Sequence, residues 1–116
     1  MALVDETEAV RLLGLSDADP GRTLSTMGDH RKILRFEVEG RTAYPLFQFD
    51  AESHCICSGI SAILAERPSG WTDYRLLNWL VTPHLDFGRT PAEAISRDGD
   101  AVVAAFARAC EAPRHG

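Results

Sequence analysis

An α+β fold, mostly α, follows from three features of this 116-residue sequence. Along most of its length apolar residues recur at helical spacing between caps and stops. Only around Lys32 to Phe49 does the period fall to two, on either side of a Glu39-Gly40 turn. Near Thr82 to Pro91, two Thr-Pro steps mark a corner where one helix stops and another starts.

The first helix is expected over Glu6 to Leu13, because Asp5-x-x-Glu8 has the spacing of a helix start and Gly14 follows as a stop. A second begins at Asp19-Pro20, where Asp19 caps and proline needs no N–H; Leu24 and Met27 face inward and Gly28 ends it. Leu34, Phe36 and Val38 then lie on one side of a strand, with Arg35 and Glu37 on the other. The return segment, Thr42 to Phe49, is aromatic and strand-like, and Pro45 assigns it to a sheet edge. After Asp50 the spacing of Ile60, Ile63 and Leu64 predicts a helix that ends at Arg67-Pro68-Ser69-Gly70. Thr72 caps the next, with Trp71 placed to staple onto Leu76, and its apolar residues run on through Leu77, Trp79 and Leu80. Pro83 stops that helix. Thr90, Pro91 and Glu93 form a capping box for a short helix reaching to about Arg97, Asp98-Gly99-Asp100 breaks the chain, and Val102, Val103, Phe106 and Cys110 define the last helix.

The order helix, helix, hairpin over residues 1–50 is that of a winged helix-turn-helix, and residues 51–116 read as a small helical domain. Hydrophobic content of 45% and charged content of 25% are those of a globular chain, so wholesale disorder is excluded. A net charge of −5 argues against a surface that grips nucleic acid all over, though a local basic face is compatible with it. The first residues lack a basic stretch followed by an apolar run, and no uncharged run is long enough to span a bilayer; the expected location is the cytoplasm, without membrane contact. Three cysteines, an odd number, fit reduced thiols.

Trp79-Leu80-x-Thr82-Pro83, then Phe87-Gly88-Arg89-Thr90-Pro91-x-Glu93, then Asp98-Gly99 before Val102-Val103, resembles the toxin-binding domain of the Xre/MbcA/ParS antitoxins. The likeness covers about the second half of the chain, and Tyr44-Pro45-Leu46-Phe47-Gln48-Phe49-Asp50 is similar to an upstream segment of some members. It departs from the family at His84, where an Asn-like residue is usual, at Phe87-Gly88, where Leu-Gly-Gly is common, and at the C-terminus, where relatives often add apolar residues. The resemblance implies a protein that neutralises a RES-type, NAD-consuming toxin by covering its active site, and that in many members also represses its own operon.

On that basis the expected toxin contacts are Phe87, Gly88, Arg89, Thr90 and Pro91 in the corner, with Arg114, His115 and Gly116 at the end. Helical spacing with Leu76 and Leu80 puts Trp79 in the core. Phe87, a loop residue, is open to either role, and Arg89 is the better surface candidate. For operator DNA the candidates are Arg22, Arg31, Lys32, Arg35 and Arg41, opposed by Asp17, Asp19 and Asp29 around the second helix. The alternatives are a DNA-binding regulator without a toxin, or a small interaction module in which the winged region packs or forms a homodimer. His54-Cys55-x-Cys57 lacks the two-residue knuckle spacing of a zinc site, so no metal and no cofactor is expected. No nucleophile, metal or phosphate-loop motif suggests an enzyme.

Overall fold

The computed structural model describes residues 2–111. Half the chain is helical and 15% is strand, an α+β composition weighted to α. It divides into two compact units, one ending at Cys57 and the other starting at Ser58. No helix among the described residues is long and apolar enough to cross a membrane.

The first unit opens with β1 (Leu3–Val4), followed by α1 (Glu6–Leu12), α2 (Pro20–Asp29), β2 (Phe36–Val38) and β3 (Arg41–Pro45). Asp5 caps α1 by accepting the Glu8 N–H at 2.9 Å. At its other end Gly14 takes φ +60, and the N–H groups of Gly14 and Leu15 donate to the carbonyls of Arg11 and Val10. This is the double bond pattern of a Schellman stop, which needs the left-handed residue that glycine supplies. Asp19 caps α2 through the Arg22 N–H. Gly28, however, does not end α2. The left-handed residue is Arg31, at φ 57, and the N–H groups of Arg31 and Lys32 return to Gly28 and Met27. Gly28 stays helical, and a Cβ there would collide with the Arg35 guanidinium packed over it.

Glu39 and Gly40 both have positive φ, making the two-residue hairpin between Val38 and Arg41. Contrary to the expectation for Pro45, β3 is the central strand of a three-stranded antiparallel sheet ordered β1-β3-β2. Pro45 is its last residue, opposite Leu3, while the Leu46 N–H donates to the Ala2 carbonyl and Tyr44 pairs with Val4. Because bonded and non-bonded pairs alternate, no N–H is required of Pro45 by β1, and β2 does not extend that far. The return segment then tightens into a 3₁₀ turn over Leu46–Gln48.

The chain after Asp50 is not yet helical. Phe49–Asp50 (β4) pairs with Cys55–Ile56 (β5), closed by a turn in which Asp50 accepts the Ser53 N–H and His54 adopts φ 51. Gln48 is fully buried, and its side-chain amide takes the place of a strand: Leu34 N–H donates to Oε1 at 2.8 Å and Nε2 donates to the Leu34 carbonyl at 2.9 Å. Around this pairing are buried Ala9, Leu12, Leu24, Ile33, Leu34, Phe36 and Tyr44; Val38, at the hairpin end, is exposed.

The second unit holds α3 (Ser58–Glu66), α4 (Asp73–Val81), α5 (Pro91–Ala94) and α6 (Gly99–Glu111). Thr72 caps α4 by accepting the Arg75 N–H. Trp71 is buried, with its ring edge-on to Phe106 at 5.1 Å. Two boundaries differ from expectation. α5 is a single turn that ends at Ala94, and Gly99 and Asp100 belong to α6, whose first bond runs from the Val102 N–H to the Asp98 carbonyl. At Gly59 a Cβ would lie 2.9 Å from the Ile95 side chain, so its absence lets α3 come close to the residues before α6. Ile60, Ile63, Leu76, Leu80, Val102 and Phe106 form the core, together with one charge, Arg67, paired with Asp73.

Candidate functional site

The corner between α4 and α5 is built by the residues that suggested it. Thr82 turns to extended backbone, and its hydroxyl donates to the Asn78 carbonyl at 2.6 Å, finishing the helix before Pro83. His84 and Arg89 then form an isolated antiparallel bridge, in which the His84 N–H donates to the Arg89 carbonyl. Across the turn, the N–H groups of Phe87 and Gly88 donate to the His84 carbonyl, and Gly88 supplies the positive φ of 63 that the reversal needs. Rings brace the base of the loop: Trp79 meets Phe106 at 5.4 Å and His84 at 6.2 Å, and His84 meets Phe87 at 5.1 Å. Of these, the edge-on Trp79–Phe106 contact adds about 0.5–1.5 kcal/mol beyond burial. The Asp86 N–H donates to His84 Nδ1, and the Asp86 carboxylate pairs with Arg108 at 2.9 Å.

The loop exit is equally well fixed. Thr90 Oγ1 accepts the Glu93 N–H, and Glu93 Oε1 accepts the Thr90 N–H, both at 3.1 Å, which completes the capping box. Those bonds from Thr90, backbone and hydroxyl, hold the Glu93 carboxyl below the usual carboxylate range, and the nearby Arg89 charge adds to the effect.

This frame presents Pro83, Leu85, Asp86, Gly88 and Arg89 to solvent. Leu85, at the tip, is 100% exposed; Phe87 is half-buried and Arg89 exposed. Thr90 is engaged in the cap and Pro91 is buried at the first position of α5, so both build the corner from within. Beside the loop lies a groove of about 470 Å³, bordered by Asp86, Phe87, Arg89, Arg97, Asp98 and Arg108, with Ala94, Ala101 and Ala104 along it. Arg114, His115 and Gly116 lie outside the described residues.

Sequence reasoning passed over Leu85, Arg97 and Arg108. A signal for the last existed: Ala101, Ala104 and Arg108 share the i, i+3, i+7 face of α6. In the first unit the basic candidates part company. Arg22, Lys32 and Arg41 are exposed, whereas Arg35 donates to Asp29 and to the Ser25 carbonyl, and Arg31 is the left-handed residue that closes α2. Asp17 accepts the Thr23 hydroxyl and Asp19 caps α2, leaving two carboxylates beside Arg22.

Cys55 is exposed, while burial pushes the Cys57 thiol up, and its Sγ lies 3.7 Å from the Phe47 carbonyl. Among the described residues no three His, Cys, Asp or Glu side chains gather as metal ligands would. Comparison with family models, with curated proteins and with solved structures yields no match.

Proposed function

We propose that this chain is an antitoxin-like binding protein, which captures a RES-type, NAD-consuming toxin and covers its active site without performing chemistry of its own. The reading is supported first by the sequence pattern Trp79 to Glu93, and the observation that carries it furthest is the locked corner that holds Leu85 wholly in solvent. The loop backbone is already braced, so a partner's pocket that takes Leu85 has to order its side chain but not the loop, which lowers the cost of association. Phe87 and Arg89 follow two and four residues on in the same loop, residue types that suit an interface centre. In this reading the corner is the seat of binding, and autoregulation of the operon would fall to the first unit through Arg22, Lys32 and Arg41.

The test is co-expression with the product of the adjacent gene, which this reading requires to be a RES-type protein. Growth and the cellular NAD pool should recover, and the two proteins should purify together. Recovery should be lost with Leu85→Asp, which leaves the fold intact because the side chain packs on nothing. Failure of the unsubstituted chain to bind or protect sinks the reading.

A further inference from the structure

We propose that His84 is a proton-operated latch on the tip of the corner: the neutral imidazole holds the loop through the Asp86 N–H, and the imidazolium releases that bond and turns to the Asp86 carboxylate. The device belongs to the chain alone and stands whatever the corner binds. The Asp86 N–H donates to His84 Nδ1 at 3.2 Å. A ring nitrogen accepts only through a free lone pair, so this bond requires the neutral ring with its proton on Nε2. Imidazolium donates from both nitrogens, and two N–H groups cannot bond to each other. A new acceptor is already close: Asp86 Oδ2 lies 3.7 Å from Nδ1, and the same oxygen takes Arg108 at 2.9 Å. A proton from solvent therefore exchanges one tie for another. The backbone bond opens, and the carboxylate that anchors the loop to α6 is shared between His84 and Arg108.

The surroundings leave Asp86 as the group that answers. The His84 side chain is 34% exposed, so solvent reaches it, and its ring stands 6.2 Å from Trp79 and 5.1 Å from Phe87, which limits how far it can turn aside. Arg89, paired with His84 across the bridge, opposes a second positive charge, while Glu93 of α5 is held by Thr90. The charges of α4 are engaged at its other end, Asp73 with Arg67 and Arg75 over the Trp71 ring. What the latch governs is Leu85, the single residue between its two halves and wholly exposed. The deeper bonds, from the His84 N–H to the Arg89 carbonyl and from the Phe87 and Gly88 N–H groups to the His84 carbonyl, use backbone groups that do not titrate. Histidine side chains change charge between about pH 5 and pH 8, so mild acid frees the tip and leaves the base of the loop in place.

The experiment is nuclear magnetic resonance on the isotope-labelled chain from about pH 8 to about pH 5.5, in the parent and in His84→Asn, whose side-chain oxygen accepts the N–H two residues on without titrating. At the alkaline end the His84 ring should carry its proton on Nε2. As the ring titrates, the Asp86 amide should come to exchange about three- to tenfold faster than in His84→Asn at the same pH, as loss of one hydrogen bond allows. The Arg108 guanidinium signals should move with the same midpoint, and the Phe87 and Gly88 amides should keep their protection. In His84→Asn the Asp86 and Arg108 signals should stay in place. Circular dichroism checks the variant's fold, and if it does not fold, the parent's own Gly88 amide serves as the reference. A proton on Nδ1 at the alkaline end, an Asp86 amide indifferent to the ring's titration, equal opening at Gly88, or the same change in His84→Asn each overturns the latch.

Discussion

Replacing Gln48 by leucine removes two hydrogen bonds and little volume, which makes it a clean probe of the first unit. The Gln48 side chain and Leu34 are both 0% exposed, and the amide accepts from the Leu34 N–H and donates to the Leu34 carbonyl. In Gln48→Leu both backbone groups stay buried with no partner. Each such orphan costs about 1–3 kcal/mol, so the pair should cost about 2–6 kcal/mol. Set against a stability of about 5–15 kcal/mol for a typical domain, that is a large fraction. Urea unfolding followed by circular dichroism measures it. Gln48→Glu adds a signed test: protonated glutamic acid can still accept from the N–H and donate to the carbonyl, whereas the carboxylate cannot donate and is buried as a charge. Its folded pKa is therefore raised, so stability is greatest below the pKa of glutamate in the unfolded chain and is lost as pH rises through the folded value. An unfolding free energy for Gln48→Leu within about 0.5 kcal/mol of the parent would refute the reasoning.

Other expectations follow from the same contacts. Thr90→Ala should cost about 1 kcal/mol in urea unfolding, as loss of an N-cap does. Because the Glu93 carboxyl is held low, its stabilisation is present above the carboxylate range and is lost as pH falls through the folded value. The gap between parent and Glu93→Gln should therefore close at low pH, and a gap independent of pH would contradict that account. The Arg67 side chain is 1% exposed, so Asp73→Ala, which strands it, should cost about 3 kcal/mol and more than Arg67→Met, which removes the charge altogether; the reverse order in thermal unfolding would count against a buried pair. Alkylation with iodoacetamide followed by mass spectrometry should modify Cys55 before Cys57, since burial raises the Cys57 thiol.

Local rules were the readable part of the sequence. The Asp5, Asp19, Thr72 and Thr90 caps, the Glu39-Gly40 turn and the stop at Gly14 each depend on a few neighbours, and each is in place. Misreadings arose where a long-range partner decided the outcome. Gly28 has the composition of a stop, but its role is to leave room for Arg35, and Arg31 bears the left-handed turn instead. Pro45 was a poor guide to sheet position because its strand ends there, beside a two-residue β1 too short to show a period. The Tyr44 to Asp50 segment stood out as a motif; what it encodes locally is the Gln48 amide pairing with a residue 14 positions away. Of the candidate site, the corner was legible as a corner. The groove was not, since Arg89, Arg97 and Arg108 are brought together only when α5 and α6 pack.

The central claim, that the corner is where a toxin is held, is tested most directly by amide hydrogen exchange on the chain alone and in complex with the RES-type protein. Slowed exchange should concentrate at His84 to Arg89, with the β1-β3-β2 sheet unchanged. Protection confined to residues 2–57, with the corner exchanging as in the free chain, would contradict the account.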